Sequence, residues 1–488
     1  MELFSQNFVN ATEQITPVKT TVKGNLPSWL RGDLIRVTFC KRFVESDAYK
    51  KAHKAGRPVY TEFGTKAFPD PTKSLFSRLV SSFVTSNMKF LSNYSSVVKT
   101  KIKIPAASPT TQACNIMRIE DEIFVSSETC YMRRIEQNTL DTKEKVDMHK
   151  IAGTNFASSH VITDDTGTSY NIGFTIFSGP KYHIMKRSPS NNNTGKDVWL
   201  NTRCITTLPS SWKASYSYVH SFGLTENYLV FLEQPLLVNV LRLATSQVKG
   251  RSLNDCLEWH PQELVKFIIV NKKTGEVVKT KYISDEPFLV MHHVNAYEVK
   301  GQLVVDFVAY PNCDIIEKLY LEKDVQEGEE LVSVPNCTAS AVRARKDSKG
   351  DFIQVSGMEI GETGMDMPTF NNERRCKPYR YVYGNGGFDQ GYYKNAVCKI
   401  DTETGLSQIF KESEYQYPSE PIFVPRPFAA HEEDGVVLVS MVETRKDHPH
   451  ALVVLDAQSF TEIARIETNE PIPTSLHGIF VPDGSGGY

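Results

Sequence analysis

The sequence predicts an all-β protein and, within that class, a β-propeller. From about residue 110 onward the chain consists of short segments rich in β-branched and aromatic residues, which favour strands. No long helical pattern alternates with these segments, and this argues against a parallel α/β sheet. The predicted strands are, in order, IFVSSET, SYNIGFTIF, YLVFLEQPLLV, VKFIIV, QLVVDFVAY, FIQVSGM, YRYVYG, NAVCKI, GVVLVSMV, ALVVLD and IARIE.

A turn signature recurs four times between the predicted strands. It reads IEQNTL at residues 135–140, VNKKTG at 270–275, IDTETG at 400–405 and LDAQSF at 455–460. Each copy joins a strand end to an acidic or amide residue, then to a Thr or Ser, and then to a returning strand. Asn and Asp suit such turns because their side chains bond the local backbone, and Gly supplies a positive φ. Repeated antiparallel hairpins of degenerate sequence favour propeller blades over a sandwich.

The part of the chain before these strands is mixed. Residues 1–30 read as an arm that ends in a GNLP turn, a short strand is predicted at 34–37, and residues 41–57 are charged and helix-like. A further helix is predicted after the PDP turn at 69–71, with Thr72 or Ser74 as its cap and one apolar stripe from Leu75 to Val84. Such a stripe either packs on the protein core or contacts a membrane surface.

Composition and charge exclude several classes of protein. The 488 residues carry a formal net charge of −2, so no basic field indicates nucleic acid. The nine cysteines are scattered without a C-x-x-C pair, which fits reduced thiols in a cytosolic protein. The N-terminus has no signal-peptide pattern, and no apolar stretch is long enough to span a bilayer. We therefore expect a cytoplasmic protein with a single domain over residues 1–488, and peripheral membrane contact through Leu75–Val84 stays an alternative.

Five of the 12 histidines lie at predicted strand edges beside apolar or small residues. They are His160, His220, the adjacent pair His292 and His293, and His477. Any one of them alone would be read as a core residue, because buried histidine is common. If each came from the inner strand of a different blade, however, they would converge on the propeller axis. Four imidazoles suit a divalent first-row metal ion.

Three carboxylates occur in similar strand-edge settings. They are Glu128 in SSETCY, Asp366 in GMDMP and Glu420 in YPSEPIF. A carboxylate that accepts a hydrogen bond from a ligand imidazole fixes the tautomer of that imidazole. The alternative is that each carboxylate is simply an exposed charge.

The motifs together carry a resemblance to a known family. They are TEFGT-x-x-FPDP, SYVHSFGLTENYLVF, HHVNAYE, YPSEPIFVPRP, EEDGVVL and LHGIF, and the match runs over nearly the whole chain. The chain resembles the carotenoid cleavage oxygenases, in the animal branch that also contains the retinal pigment epithelium isomerohydrolase. The resemblance implies a seven-bladed β-propeller with a cap of loops and short helices.

The resemblance also implies a metal centre. One non-haem Fe(II) per subunit would lie on the axis, bound by His160, His220, His292 and His477, with no catalytic residue beyond these ligands. The supporting carboxylates would be Glu128, Asp366 and Glu420. In the HHVNAYE motif the family uses the first histidine, so His293 is predicted to be structural.

The reaction implied is oxidative cleavage of one C=C bond of a carotenoid or apocarotenoid by O₂, with two carbonyl products. The protein would hold the long apolar substrate and exclude water. Two alternatives stay open from the sequence. One is isomerisation and hydrolysis of a retinyl ester, and the other is a non-catalytic propeller that binds carotenoid or a protein partner.

The sequence departs from the family pattern at four places. Asp366 stands where the family usually has Glu, and its shorter side chain is expected to need a water or a backbone shift to reach its imidazole. Val161 follows His160 where the family often has Pro, and Thr72 replaces a Cys proposed as a lipidation site. After residue 36 a Gly-Pro turn and an HxFDG segment are missing, so we expect a shortened first blade.

Overall fold

The computed structural model describes residues 13–31, 38–56, 115–176, 179–190, 192–249, 254–318, 338–344, 352–355, 357–359, 364–386, 395–472 and 476–482. These residues form a β-propeller, as the sequence predicts. The predicted strand at 34–37 and the predicted helix at Leu75–Val84 lie outside the described residues.

The N-terminal part contributes three strands and precedes two sheets. The strands are β1 (Gln14–Lys19), β2 (Thr21–Gly24) and β3 (Thr38–Lys41), and β1 pairs antiparallel with β3. Sheet A consists of β4 (Asn115–Ile119), β5 (Glu122–Ser126), β6 (Tyr131–Ile135) and β7 (Thr142–Asp147). Sheet B consists of β8 (Phe156–Ala157), β9 (Ile162–Thr163), β10 (Ser169–Thr175), β11 (Lys181–Arg187) and β12 (Thr202–Pro209).

The middle of the chain interleaves a small sheet with a larger one. The strands in chain order are β13 (Ser215–Ser217), β14 (Gly223–Leu224), β15 (Tyr228–Glu233), β16 (Leu236–Asn239), β17 (Leu257–Trp259), β18 (Lys266–Asn271) and β19 (Lys281–Ser284). The small sheet has the order β13-β16-β17. Sheet C contains β14, β15, β18 and β19, and a later strand completes it.

The remaining strands form three more sheets. Sheet D contains β20 (Leu289–Val299), β21 (Gln302–Tyr310), β22 (Thr338–Ala344) and β24 (Gly357–Glu359), whereas β23 (Phe352–Val355) pairs parallel with β19 of sheet C. Sheet E contains β25 (Met365–Thr369), β26 (Tyr381–Gly386), β27 (Val397–Asp401) and β28 (Ser407–Phe410). Sheet F contains β29 (Gln416–Pro418), β30 (Ile422–Pro425), β31 (Gly435–Glu443), β32 (His450–Asp456) and β33 (Glu462–Thr468), and β2 joins it at β33.

The helices of the described residues are short. They are Ser28–Arg31, Asp47–Ala55, Met148–Ala152, Val240–Lys249 and Asp314–Lys318, with 3₁₀ turns at Gly195–Trp199, Asn254–Cys256 and Asn372–Arg374. Within the part of the chain that the structure describes, no helix has the length and apolar character that crossing a membrane requires.

Neighbouring sheets pack face to face through apolar side chains. One buried cluster joins each pair of neighbours: A to B, B to C, C to D, D to E, and E to F. Each sheet therefore packs on the next one in chain order. Six sheets of four to six strands are present in the described residues, together with the three-stranded sheet β13-β16-β17 and the two-stranded sheet β1-β3. The count of seven blades and the single domain over residues 1–488 stay predictions.

The recurring turn signature is confirmed as a set of hairpin turns. The four copies follow β6, β18, β27 and β32. In each copy the residue before the returning strand has positive φ: 55° at Leu140, 77° at Gly275, 76° at Gly405 and 55° at Phe460. Glycine adopts this conformation without steric cost, whereas a leucine or phenylalanine there is held by the surrounding turn. The degenerate repeat thus preserves a backbone shape more than a residue type.

Two predicted strands are divided in the structure. YLVFLEQPLLV forms β15 and β16, which belong to different sheets, because Pro235 cannot donate to a ladder. The buried Gln234 amide at the break donates to the carbonyl oxygens of Tyr218 and Val290, at 2.7 and 3.0 Å. FIQVSGM is divided between β23 in sheet C and β24 in sheet D.

Candidate metal centre

Four imidazoles from separate parts of the chain converge on one point. His160 lies between β8 and β9, His220 precedes β14, His292 is in β20, and His477 follows β33. One ring nitrogen from each residue lies within 4.8 Å of the others. The Nε2 atom of His220 is 2.9 Å from Nε2 of His160 and 3.3 Å from Nε2 of His292. The structure therefore brings together all four histidines that the sequence analysis selected, including His160 with its unusual Val161 neighbour.

His293 lies outside this cluster although it is adjacent to His292. Successive side chains of a strand point to opposite faces, and the pairing of β20 with β21 is irregular on either side of His293. The Nδ1 atom of His293 is 2.8 Å from the Oγ atom of Ser221, and its ring packs against Phe307 with centroids 5.7 Å apart. This placement fits the structural role predicted for His293.

Three of the four imidazoles contact a carboxylate through Nδ1. His292 donates to Oδ1 of Asp366 at 2.7 Å, and His477 donates to Oε1 of Glu420 at 2.9 Å. His220 makes the equivalent short hydrogen bond to Oε1 of Glu128.

These contacts place the protons on the outer side of the rings. When Nδ1 carries the proton, Nε2 presents a lone pair to the centre of the cluster. The lone pairs of His220 and His292 then face each other at 3.3 Å with no proton between them. A cation between buried acceptors that face each other stabilises them, and the negative charge of three carboxylates around neutral imidazoles favours a divalent ion. The residues present therefore fit a divalent metal ion.

His160 is supported differently. Among the described residues, no carboxylate lies within hydrogen-bond distance of its ring, and its Nδ1 atom is 3.5 Å from the amide nitrogen of Asn115. That nitrogen also donates to the carbonyl oxygen of Ser159 at 3.1 Å. The backbone N–H of His160 donates to Oγ of Ser158 at 3.0 Å. Backbone contacts, rather than an anionic partner, hold this residue in place.

Burial and mutual repulsion set the protonation of the cluster. Burial, together with the neighbouring imidazoles, holds the pKa of His160 well below its ordinary value. Burial also lowers the pKa of His292, although the adjacent carboxylate opposes this effect. For Asp366, burial would raise the pKa, but the charge and hydrogen bond of His292 outweigh it and lower the pKa to about 2. Neutral imidazoles beside an ionised carboxylate are the state that binds a metal ion.

His477 titrates in the opposite direction. Burial alone would lower its pKa, but the charge and the hydrogen bond of Glu420 outweigh burial, and the pKa is raised above the ordinary value. A proton therefore competes with a metal ion more strongly at His477 than at His160.

Further donors orient the three carboxylates. The Tyr218 hydroxyl donates to Glu128 at 2.7 Å, the Gly478 N–H donates to Glu420 at 3.0 Å, and the Tyr310 hydroxyl makes a short hydrogen bond to Oδ2 of Asp366. None of these three donors was predicted from the sequence as part of the site. Tyr218 precedes His220 by two positions, which is a usable signal because alternate residues of an extended segment share a face. Tyr310 is 56 residues from Asp366 and gives no such local signal.

Asp366 reaches its imidazole directly. From the sequence, we expected this contact to need either a bridging water or a shift of the backbone. At 2.7 Å the contact needs no bridging water. The backbone is irregular at this point, because the pairing of β25 with β26 shifts register between Asp366 and Thr369. Met367, the next residue, has a positive φ of 51°.

Comparison with known proteins gives concordant matches over the whole length. Residues 36–482 match the profile of the family described as "Retinal pigment epithelial membrane protein". Rat "Beta,beta-carotene 15,15'-dioxygenase" is 32% identical, with 97% of this chain and 91% of the rat protein covered. "Carotenoid-cleaving dioxygenase, mitochondrial" of Pongo abelii is 28% identical, with 95% of this chain and 92% of that protein covered. The rat alignment spans 534 positions against the 488 residues here, so it includes positions that this chain lacks.

Solved structures agree on the architecture. A variant of Synechocystis apocarotenoid oxygenase superposes with a TM-score of 0.75 at 19% identity, and 98% of each chain is covered. Cobalt-substituted Synechocystis apocarotenoid oxygenase gives a TM-score of 0.74 at 20% identity, also with 98% of each chain covered. These similarities confirm the predicted β-propeller fold.

Proposed function

Because the chain belongs to the carotenoid cleavage oxygenase family, we propose that it is an Fe(II)-dependent dioxygenase that cleaves a C=C bond of a carotenoid or apocarotenoid with O₂ to give two carbonyl products. The observation that carries the proposal is the convergence of His160, His220, His292 and His477, with ring nitrogens within 4.8 Å of one another. The relatives named as dioxygenases support the reaction class, and their names supply carotenoid as the substrate class.

The four imidazole ligands favour an iron site over a structural zinc site. Imidazole suits Fe(II), Co(II) and other first-row ions, whereas thiolate ligands are typical of structural zinc. No cysteine belongs to the cluster among the described residues. The similarity to a cobalt-substituted oxygenase supports a divalent first-row ion in the same fold. When bound, Fe(II) would supply the capacity to activate O₂ beside the double bond.

The protein's own residues prepare the site in three ways. The carboxylates of Glu128, Asp366 and Glu420 keep the Nδ1 protons in place, so that Nε2 of each partner ring stays free for the metal. Burial keeps His160 and His292 neutral. His220 and His292 are only 8% and 5% exposed, which limits the access of water to these groups. The site is thus set for metal binding before any substrate arrives.

An oxygen-labelling experiment tests the proposed reaction. The purified chain, reconstituted anaerobically with Fe(II), is incubated with β-carotene under isotopically labelled O₂. We expect aldehyde or ketone products that contain the label. An O₂-independent retinol product from a retinyl ester would instead favour the isomerohydrolase alternative. Bound iron with carotenoid binding but without product would favour a non-catalytic binding protein.

We also propose that the protein is cytoplasmic and contacts membranes peripherally. The composition supports a cytoplasmic protein, and the apolar stripe from Leu75 to Val84 supports peripheral membrane contact, although that segment lies outside the described residues. Co-sedimentation of the purified chain with phosphatidylcholine vesicles tests the contact. Replacing Leu75 and Leu79 with serine should abolish sedimentation if the stripe is the contact surface.

A further inference from the structure

The Asp366 carboxylate is bonded at both oxygens inside the protein. Its Oδ1 atom accepts from Nδ1 of His292 at 2.7 Å and from the backbone N–H of Met367 at 2.8 Å. Its Oδ2 atom accepts a short hydrogen bond from the Tyr310 hydroxyl. Asp366 and Tyr310 are only 6% and 3% exposed, so water does not compete freely for these bonds. The carboxylate therefore has little freedom to rotate while all three donors are present.

The backbone that carries Asp366 lies very close to the neighbouring strand. A Cβ atom added at Gly384 of β26 would lie 2.8 Å from the carbonyl oxygen of Asp366. A Cβ atom at Gly386 would lie 2.3 Å from the carbonyl oxygen of Gly364. Neither approach tolerates a side chain unless the backbone of β25 moves. Two glycines thus let β25 approach β26 more closely than other residues would.

The other two carboxylates of the site have a different construction. Glu128 and Glu420 carry one more methylene group, which extends the side chain by about 1.5 Å, the length of one C–C bond. Each has a donor besides its imidazole: the Tyr218 hydroxyl for Glu128 and the Gly478 N–H for Glu420. The shorter Asp366 is the one whose backbone is distorted, with a positive φ of 51° at the next residue. Strained backbone of this kind is concentrated at functional sites, where surrounding contacts hold it.

We propose that Tyr310 is a positioning residue of the metal centre, which acts through Asp366 to fix the orientation of His292, and that the approach of β25 to β26 at Gly384 matches the site to an aspartate. This inference rests on the proposed metal-binding function. Removing the Tyr310 hydroxyl leaves Oδ2 of Asp366 buried without this donor. The carboxylate is then free to turn away from Nδ1 of His292, and the imidazole loses its fixed direction.

Cobalt binding tests the role of Tyr310 without requiring catalysis. Co(II) is titrated into the metal-free full chain, and the visible absorption of bound Co(II) reports both affinity and ligand geometry. We expect Tyr310→Phe to weaken Co(II) binding by about threefold to tenfold and to change the absorption band, a smaller effect than the 10–100-fold typical of losing a direct partner of a ligand. An affinity and a band identical to those of the unmodified chain would overturn the inference.

Tyr383→Phe is the matched control. Tyr383 lies in β26 of sheet E, is 1% exposed, and its hydroxyl has no hydrogen-bond partner among the described residues. The variant therefore removes a buried hydroxyl nearby without removing a donor to the site. Its Co(II) affinity should stay within about twofold of the unmodified chain, since no partner of a ligand is touched. An equal loss in both variants would show that Tyr310 acts only on general packing.

Two further variants keep the inference testable if Tyr310→Phe folds poorly. Asp366→Glu keeps the charge but adds a methylene group between Tyr310 and His292, and it should weaken Co(II) binding by at least about threefold, on the scale of partner losses. Unchanged or tighter binding would overturn the match to aspartate. Combining Tyr310→Phe with Asp366→Asn should cost no more than Asp366→Asn alone, because Tyr310 acts through that carboxylate. Additive losses would contradict a shared route.

The same titration separates the two proposals. If the unmodified chain fails to bind Co(II), the proposed metal function fails and the role of Tyr310 fails with it. If the unmodified chain binds Co(II) and Tyr310→Phe binds equally well with the same band, only the inference about Tyr310 fails. Weakened binding in Tyr310→Phe, with unchanged binding in Tyr383→Phe, supports both.

Discussion

His292 and His160 belong to the same candidate metal centre but are held by different means. His292 is part of the long strand β20 and is 5% exposed, and its ring donates to the buried Asp366, which Tyr310 holds in turn. His160 lies in the short connection between β8 and β9, and on the outer side of its ring the described residues offer the Asn115 amide nitrogen at 3.5 Å and no carboxylate. One ligand is oriented by charge, and the other is positioned by backbone contacts.

We therefore expect the two histidines to contribute equally to metal retention but unequally to the stability of the metal-free protein. An imidazole paired with a buried carboxylate is needed by its partner even when no metal is bound, because removing it leaves a charge with fewer donors. An imidazole buried without such a partner contributes little to the metal-free protein and serves the metal alone. Single substitutions at the two residues and their neighbours test that difference.

Removing either ligand should have equal consequences for iron but unequal consequences for the fold. We expect His292→Ala and His160→Ala both to abolish retention of iron through gel filtration. In the metal-free protein, His292→Ala should lower the free energy of unfolding by about 3–5 kcal/mol, the usual cost of breaking a buried pair. His160→Ala should leave it within about 1 kcal/mol, because no buried charge loses its partner. Denaturant unfolding of both metal-free variants measures the difference. Equal losses of unfolding free energy would show that the two histidines do not differ in their contribution to stability.

Removing the group that contacts the Nδ1 atom of a ligand histidine should weaken metal affinity most where that group is a carboxylate. Glu128→Gln should weaken Co(II) affinity by about 10–100-fold, because the negative charge that orients His220 is lost. Asn115→Ala should change it by less than about threefold, because the amide contact to His160 is long and carries no charge. Competition titration against a chelator gives both values. A larger loss in Asn115→Ala would show that His160 depends on its side-chain neighbour after all.

The pH dependence of metal binding should report His477 before His160 and His292. Glu420 raises the pKa of His477 above its ordinary value of 6.5, whereas the pKa values of His160 and His292 are lowered, so in the metal-free protein His477 gains a proton before those two as pH falls. Metal affinity should therefore fall by about tenfold per pH unit once pH drops below that raised pKa, since one proton must leave for each ion bound. His160, with its lowered pKa, stays neutral over the same range.

A matched variant gives the sign of this effect. Glu420→Gln removes the charge that raises the pKa of His477, so the fall in affinity should begin at a lower pH, although the affinity at high pH is also reduced. Affinity measurements between pH 5.5 and 8.5, a range of about three units around the ordinary histidine pKa, would show the displacement. A fall that begins at the same pH in both proteins would mean that another group competes with the metal.

The smallest effect on the metal is expected from the neighbour of His292. His293→Ala removes a ring that contacts Ser221 and Phe307 but not the cluster. Burial, with a smaller contribution from His292 and His220, lowers the pKa of His293 to about 3, so its loss changes no charge at neutral pH. We expect full iron retention with a lowered melting temperature. Loss of iron equal to that of His292→Ala would show that the pair has been assigned the wrong way round.

Much of the fold was accessible from the sequence because it depends on local patterns. The four hairpin turns follow from the strand end, the acidic or amide side chain and the Thr or Ser that follows it. For example, Oδ1 of Asn271 accepts from the backbone of Thr274 at 2.9 Å. Positive φ at Leu140 and Phe460 could not be predicted, because the tertiary context, rather than the residue type, imposes it. For the same reason the division of YLVFLEQPLLV between two sheets required the structure.

The candidate site likewise has features that the sequence predicts and features that only the structure shows. The family motifs identified the four histidines and three carboxylates, and the HHVNAYE motif favoured His292 over His293. The direct contact of Asp366 could not be predicted, because it depends on how closely β25 approaches β26 at Gly384. Tyr310 could not be found either, because it reaches Asp366 from a different sheet. Long-range packing decides these features, and one sequence carries no local sign of it.

Measuring the iron content of the purified protein tests whether the four histidines bind iron. The full chain, purified anaerobically and supplied with Fe(II), is passed through gel filtration and analysed by elemental mass spectrometry beside His292→Ala. Four converging imidazoles predict about one iron per chain, retained in the unmodified protein and absent from the variant. A folded chain that retains no iron, or a variant that retains as much iron as the unmodified protein, would contradict the account.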